Sequence, residues 1–294
     1  MAIGGSMKTV DIIYRYSASE ADVRPLPRDS DAALLRLQEG NRGFATLLGH
    51  IGEEGGIQRV IPVDARDLGL AAGSAAAPAQ RPFAAILGCS DARVPVELIF
   101  NEGPNDLFVV RVAGNGLGSE VLGSLKYAID NLGGSLKLVV VLGHSGCGAL
   151  TTAADVFLNP NNYLPLAAKH ALRNILDRLL VIVDASARKL LATFGPDVAL
   201  CPGYRKALIE ASVATNAALA AYSLQQEFGV GSPGGLQAAY GVYLLESREL
   251  WAPRVGAKEE VGLAAAPGDI GSFVDLGEAV VKSRRIASLI DPGK

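Results

Sequence analysis

The stretch Phe83-Ala-Ala-Ile-Leu-Gly88, followed directly by Cys89-Ser-Asp-Ala-Arg93, decides the fold of this chain. Two further apolar runs, residues 107–114 and 136–143, repeat its pattern of hydrophobic residues that end at a glycine. Runs that are apolar at nearly every position are typical of strands buried on both faces of a parallel sheet. Residues 83–149 therefore predict the centre of an α/β fold.

The segments between these runs favour helices. Residues 94–100 follow the first run, and residues 119–132 place Val121, Leu125 and Ala128 on one helical face. Alternation of strand and helix implies right-handed crossovers between parallel strands. The predicted fold is α/β, with a mainly parallel central β-sheet flanked by helices and an N-terminal helical arm.

Patterns in the rest of the chain complete this prediction. Apolar spacing predicts helices over residues 31–48, 166–194, 204–228 and 276–287, and a late strand with a hairpin over residues 236–251. Residues 7–30 are interpreted as an arm that packs on something else. A glycine-rich segment after residue 48 and the run 70–82 predict loops that lead into the first strand.

We expect a single domain over residues 7–294, with a C-terminal extension. Residues 1–6 precede a second methionine after Gly-Gly-Ser, which indicates a remnant of cloning. The net charge of −3 and the isoelectric point near 5.7 provide no electrostatic footprint for nucleic acid or for an anionic membrane. Although the mean hydropathy is +0.27, charged residues and glycines interrupt the apolar stretches, so we expect no transmembrane helix.

The three cysteines are Cys89, Cys147 and Cys201. An odd number argues against a disulfide framework and favours reduced thiols in the cytoplasm. Cys201 has no partner motif, so it is interpreted as an inert thiol. His50 and His170 are interpreted as surface or helix-face residues.

Metal-ligand chemistry follows two of the predicted strands. Cys89 comes after the first, and His144 and Cys147, three residues apart, come after the third. Two thiolates and one imidazole suit tetrahedral zinc, and because these motifs hold no fourth cysteine or histidine, one position could stay open for water. Asp91, paired with Arg93, then either accepts a hydrogen bond from that water or swings onto the metal as its fourth ligand.

Simpler interpretations exist for each of these residues. Cysteines in an apolar sheet can be plain core residues. Asp91 and Arg93 can be a structural ion pair. Residues 114–118 contain a glycine pattern close to a dinucleotide loop, but its G-x-G-x-G spacing is wrong and the acidic ribose partner is missing.

The motifs Cys89-Ser-Asp-Ala-Arg93, Arg111-Val-Ala-Gly-Asn115 and Gly143-His-Ser-Gly-Cys-Gly148 together resemble those of the β-class carbonic anhydrases. The resemblance spans residues 34–251 and is strongest over residues 80–150. It implies a Zn²⁺ ion held by the two thiolates and the histidine, with a zinc-bound hydroxide that attacks carbon dioxide to give bicarbonate. It also implies that the Asp-Arg pair orients this hydroxide.

The same resemblance implies a substrate pocket and an assembly. Gln80 matches the glutamine that hydrogen-bonds the substrate, and Gly148 matches a glycine beside the second thiolate. Phe108 and Tyr127 fall where the family places aromatic residues contributed across a dimer interface. We therefore expect a homodimer or another even-numbered homo-oligomer.

The chain departs from the family pattern in three places. Ala113 replaces a larger aliphatic residue, which could widen the pocket. Phe44 lies in the region where the bicarbonate-inhibited subtype has a tryptophan, so we expect the constitutively open subtype. Residues 159–202 form a helical insertion of unknown purpose. Two other functions therefore stay open: hydrolysis of carbonyl sulfide or carbon disulfide, and a non-catalytic zinc protein in which Asp91 closes the metal.

Overall fold

The computed structural model of the 294-residue chain describes residues 9–17, 24–47, 57–70, 77–231, 235–256 and 260–291. His50 and the side chain of His170 lie outside this description, so their interpretation stays a prediction. In chain order the elements are β1 (Val10–Ser17), α1 (Ser30–Leu47), β2 (Ile57–Asp64), β3 (Ala84–Gly88), α2 (Val96–Phe100), β4 (Leu107–Arg111), α3 (Ser119–Leu132), β5 (Leu138–His144), α4 (Gly148–Leu158), α5 (Tyr163–Ala167), α6 (His170–Phe194), α7 (Tyr204–Phe228), β6 (Gln237–Tyr243), β7 (Leu250–Trp251), β8 (Ala264–Ala265), α8 (Ile270–Lys282) and α9 (Arg284–Ile290).

The central sheet has the strand order β4-β3-β5-β6-β7, and β8 pairs with β6. Strands β4, β3, β5 and β6 are parallel to one another, whereas β7 and β8 run antiparallel to β6. The predicted α/β fold with a mainly parallel sheet is thus confirmed. The chain leaves β3 to one side for β4 and then crosses to the other side for β5, which makes the carboxyl ends of β3 and β5 a topological switch point.

Helices cover both faces of the sheet. Alternate residues of each strand point to opposite faces, so each strand contributes to two clusters. Ala84 and Ile86 of β3 pack against α1 and α2. Ala85 and Leu87 pack into a larger cluster with α3, α4, α6 and α7. Both faces of β3 and β5 are therefore buried, as their apolar sequences predicted.

The predicted insertion over residues 159–202 has a clear structural role. It contains α5 and α6, and α6 packs against α4, α7 and α8. Leu176, Leu179, Val183 and Leu190 of α6 are buried in the larger core cluster. The insertion is therefore part of the core on the face of the sheet that carries α4.

The flanking segments differ from the prediction in two places. No strand was predicted over residues 57–64, which form β2 and pair in parallel with β1 in a separate two-stranded sheet. The single C-terminal helix expected over residues 276–287 is two helices, α8 and α9, because the chain turns at Ser283, whose side chain caps α9.

One helix nevertheless approaches the length and composition of a membrane span. Among the described residues, α7 is long and apolar enough to cross a membrane by length and composition. However, 72% of its apolar window is buried inside the fold, as in a core helix of a globular protein. The feature is weak as an indication of a membrane span.

Candidate metal centre

The candidate centre lies where β3 and β5 end side by side. Gly88 pairs with Leu142 of β5 on one side and with Arg111 of β4 on the other. Cys89 therefore leaves the sheet next to Gly143 and His144. Crevices outside the carboxyl ends of strands at a switch point are the usual ligand sites of open α/β sheets.

Cys89, His144 and Cys147 come together at these strand ends. One ligand atom from each lies within 4.8 Å of the other two. All three residues are buried, with His144 fully enclosed. A turn through Gly146, whose φ of +61° favours glycine, returns the chain so that Cys147 precedes the first turn of α4.

The ring of His144 is held in one orientation. Its Nδ1 donates a hydrogen bond to the carbonyl oxygen of Ser145 at 3.1 Å, which leaves Nε2 as the free ring nitrogen. This buried Nε2 has no hydrogen-bond partner among the described residues. Because buried polar atoms are rarely left unsatisfied, an orphaned imidazole nitrogen beside two thiols fits a zinc ion well.

The two thiols are strongly coupled. Their sulfur atoms are 4.0 Å apart, and the hydrogen bond between them lowers the pKa of Cys89 well below its usual value. The same hydrogen bond, together with burial, raises the pKa of Cys147 far above its usual value. A divalent metal bound there would take both sulfur atoms as thiolates, so its binding would release thiol protons.

Asp91 and Arg93 form a closed ion pair beside this cluster. Arg93 donates from Nε and Nη2 to the two carboxylate oxygens at 3.0 and 2.8 Å, and its backbone N–H donates to Oδ1 at 2.9 Å. These bonds hold the pKa of Asp91 far below its usual range. Asp91 Oδ2 lies 3.8 Å from His144 Nε2, so the ionised carboxylate adjoins the position that a metal would occupy.

Residues 89–93 do not continue the extended conformation of β3. Instead the chain turns after Asp91, whose carbonyl oxygen accepts a hydrogen bond from the N–H of Val94 at 3.0 Å. Arg111 then fixes this turn by donating to the carbonyl oxygens of Cys89 and Asp91 at 2.9 and 2.5 Å.

Sequence reasoning missed Asn115, which joins β3 to β5 at the centre. This residue is 3% exposed and its Nδ2 donates to the carbonyl oxygens of Leu87 and Leu142 at 3.1 and 2.9 Å. Its φ of +54° lies in the left-handed region, which asparagine tolerates better than most residues. The signal available in the sequence was an asparagine that directly follows a glycine.

Gly114 is the second residue whose role was not foreseen. Its φ is +67°, and a Cβ atom there would lie 3.0 Å from Leu179 of α6 and 3.2 Å from Ala149 of α4. Its N–H group contributes to the low pKa of Cys89, and its carbonyl oxygen accepts a bond from Asn216 of α7 at 2.8 Å. The segment that includes Ala113 is thus clamped against three helices.

The expected pocket residues do not all meet the cluster within one chain. Gly148 begins α4 next to Cys147, and Ala113 follows β4 at the same edge of the sheet. Gln80 and Phe108 line a surface pocket of about 400 Å³ at the opposite, amino-terminal end of β3 and β4. Tyr127 is 52% exposed on α3. The roles of these five residues stay predictions.

Comparison with known proteins supports the family resemblance of the motifs. The family model described as carbonic anhydrase matches residues 84–201. Carbonic anhydrase 2 of Mycobacterium tuberculosis is 51% identical over 85 residues, which are 29% of this chain and 37% of that protein. A carbonic anhydrase of Mycolicibacterium smegmatis is 50% identical over 72 residues, 24% of this chain and 34% of that protein. The chain thus spans only about a third of the length of these curated relatives.

Among solved structures, a tetrameric β-carbonic anhydrase of Sordaria macrospora aligns with 61% of this chain and 83% of its own, at 21% identity and a TM-score of 0.46. The segment matched by the family model contains Cys89, His144 and Cys147, together with Asp91 and Arg93. Residues 84–201 thus match the carbonic anhydrase family model, and the motifs within them resemble those of the β class.

Proposed function

We propose that this protein is a zinc-dependent carbonic anhydrase that catalyses the reversible hydration of carbon dioxide to bicarbonate and a proton. One observation carries the proposal: a buried Cys-His-Cys cluster with an orphaned imidazole nitrogen lies directly beside an ionised Asp-Arg pair. Relatives with this name over the matched segment support the same activity.

Cys89, His144 and Cys147 would hold the Zn²⁺ ion. A zinc ion bound there would supply a Lewis acid that lowers the pKa of water towards roughly 7. The protein provides the rest of the setting. The imidazole and both thiols are buried, and the Nδ1 hydrogen bond of His144 fixes the tautomer that leaves Nε2 free.

Asp91 is proposed to accept a hydrogen bond from the attacking water and so to orient that water. Its carboxylate is ionised because Arg93 binds both of its oxygens, and it lies 3.8 Å from the free imidazole nitrogen. The bidentate pair also favours the open arrangement over one in which Asp91 closes the metal, because closure would sacrifice charge-assisted hydrogen bonds. The two alternatives for Asp91, hydrogen-bond acceptor or fourth metal ligand, thus lead to different predictions for Asp91→Ala.

An even-numbered homo-oligomer is also proposed. Strand β4 is the edge of the central sheet, and its residues Leu107, Phe108, Val109 and Val110 are apolar but only half buried. Hydrophobic edge strands are ready sites for pairing with another chain. Gln80 and Phe108 adjoin this edge and lie far from the metal ligands of the same chain. We therefore propose that these two side chains contact a second copy of the chain.

The cytoplasm is the proposed location. Cys89 and Cys147 are free thiols with sulfur atoms 4.0 Å apart, and they must stay reduced to bind zinc. Reducing compartments preserve such pairs, whereas oxidising ones favour disulfides.

Stopped-flow hydration of carbon dioxide at pH about 8 tests the proposed activity. Protein loaded with one zinc ion per chain should accelerate hydration in proportion to its concentration, and protein stripped by a chelator should not. A zinc-loaded protein that leaves the buffer rate unchanged would refute the activity. Parallel assays with carbonyl sulfide and carbon disulfide test whether the small side chain of Ala113 has shifted the substrate.

A further inference from the structure

Two carboxylates connect the C-terminal helix α9 to the loop that separates two of the candidate ligands. Its second residue, Arg285, has a side chain that is only 21% exposed. The guanidinium lies 5.6 Å from the ring centroid of Trp251, in a cation–π arrangement. Residue 285 lies well beyond residues 84–201, so the family match does not account for it.

Arg285 bridges two carboxylates. It donates to Glu210 Oε2 from Nε at 3.1 Å and from Nη2 at 2.8 Å. The same Nη2 lies 2.6 Å from Glu246 Oε1. Glu210 is nearly enclosed, with 4% of its side chain exposed, whereas Glu246 is 55% exposed.

Each carboxylate uses its other oxygen to hold the ligand loop. Glu210 Oε1 accepts a hydrogen bond from the backbone N–H of Gly146 at 3.0 Å. Glu246 Oε2 accepts one from the hydroxyl of Ser145 at 2.8 Å. The hydroxyl oxygen of Ser145 in turn accepts from the N–H of Leu245 at 2.9 Å. Arg285 is therefore one residue removed from both amino acids that lie between the candidate ligands.

The loop transmits this restraint to the ligands. The carbonyl oxygen of Ser145 accepts the hydrogen bond that orients the His144 ring, and Gly146 makes the left-handed turn that delivers Cys147. A rotation of the Ser145–Gly146 peptide would move both. Partners of metal ligands that act at one remove commonly determine metal affinity, because they fix ligand orientation before the metal arrives.

The buried position of Glu210 makes the arginine necessary. Removing Arg285 leaves an enclosed carboxylate without its cation, and that is costly unless the group takes up a proton or turns to solvent. Either response weakens the bond to Gly146. The loss also leaves Glu210 and Glu246 as two neighbouring carboxylates with no cation between them.

We propose that Arg285 is a positioning residue for the zinc site, acting through Glu210 and Glu246 to hold the loop between His144 and Cys147 in its ligand-presenting conformation. The proposal rests on the zinc site of the proposed function. It assigns the C-terminal helix, a part of the chain outside the family match, to the preorganisation of the metal centre.

Zinc affinity of the full-length protein, measured by chelator competition at fixed pH, tests this role. Arg285→Ala should raise the apparent dissociation constant by about 10- to 100-fold. Arg285→Lys should recover part of the affinity, because it keeps the charge but loses the planar fork that serves two carboxylates. The matched control is Arg284→Ala, which removes an exposed arginine from the same helix and should bind zinc like the unaltered protein.

Two further measurements separate positioning from general damage. The visible spectrum of the cobalt-substituted protein should change in Arg285→Ala and not in Arg284→Ala, because it reports coordination geometry directly. If Arg285→Ala fails to fold, Glu246→Ala decides the matter: it alters a half-exposed residue and should also weaken zinc binding. Equal zinc affinity in Arg285→Ala and Arg284→Ala, or in Glu246→Ala and the unaltered protein, would overturn the proposal.

These outcomes are distinct from those that test the proposed function. An unaltered protein that binds zinc tightly but hydrates no carbon dioxide contradicts the enzyme and leaves the role of Arg285 standing. Variants that bind zinc as the unaltered protein does contradict the role of Arg285, whatever their hydration rate. A protein that binds no zinc contradicts both.

Discussion

Replacing Asn115 tests how the two ligand-bearing strands are held together. Its Nδ2 is the donor to one carbonyl at the end of β3 and to one at the end of β5, and the residue is 3% exposed. Asn115→Ala removes both bonds and places a residue with a Cβ but no compensating polar group at a φ of +54°. Asn115→Gly removes the same bonds without the conformational penalty.

The expected magnitude follows from these contacts. Each buried hydrogen bond contributes about 1 kcal/mol net, so the loss of two costs about 2 kcal/mol. A left-handed conformation costs a further 1 kcal/mol or so for alanine. We therefore expect Asn115→Ala to lower the free energy of unfolding by about 3 kcal/mol, and Asn115→Gly to lower it by less.

Urea unfolding followed by circular dichroism measures both changes. A chelator keeps the protein free of metal, so that zinc binding does not contribute to the measured stability. The control is Asn131→Ala, which removes an exposed asparagine of α3 and should change the free energy of unfolding by no more than about 0.5 kcal/mol. Asn115→Ala and Asn115→Gly values both as small as that of the control would refute the clamp between β3 and β5.

Three other changes test the site and the electrostatics around it. Cys147→Ala should abolish tight zinc binding, measured as metal content after dialysis, because only one thiolate and one imidazole remain; retention of one zinc per chain would remove Cys147 from the ligand set. Asp91→Ala should keep its zinc but lose about 100-fold or more in the rate of carbon dioxide hydration, because the acceptor for the water hydrogen is gone; full activity at equal zinc content would refute its role. Asp64, with a 2% exposed side chain, has its pKa lowered by Arg66, so it stabilises the fold above its unfolded pKa and loses that contribution as pH falls. Asp64→Asn should therefore flatten the decline of unfolding free energy between pH 5 and 2, and an unchanged pH profile would contradict that linkage.

Local patterns predicted the central elements well. The helix over residues 119–132 and the helix over residues 204–228 occur with the predicted bounds, because apolar periodicity and high alanine content act within each segment. The ligand cluster also followed from sequence, since parallel strands that end at one edge bring the residues after them together. The sequence thus predicted which metal-ligating side chains follow neighbouring strands.

Long-range partners were beyond such reasoning. Strand β2 was missed because its pairing with β1 joins segments separated by a whole helix, and no local alternation marks it clearly. Glu210 supports Gly146 across 64 residues of sequence, and Arg285 supports Glu210 across 75. Charged residues in apolar helices carry no label for their partners. Only the folded structure shows the hydrogen bonds that connect these charges to the ligand loop.

The placement of Gln80 and Phe108 shows a different limit. The family resemblance assigns both to the substrate pocket, yet in the single chain they line a pocket at the far end of the sheet from Cys89. The sequence of one chain does not show which of its residues lie beside a second copy. Sedimentation of the purified protein, compared with that of a Phe108→Asp variant at the half-buried edge strand, would show whether β4 forms the proposed interface.

Zinc K-edge X-ray absorption of the loaded protein at neutral pH tests the central claim most directly. The account predicts one zinc ion per chain with two sulfur neighbours at about 2.3 Å and nitrogen or oxygen neighbours at about 2.0 to 2.2 Å, of which at least one is an imidazole. A spectrum with four sulfur neighbours, or with none, would contradict a centre built from Cys89, His144 and Cys147.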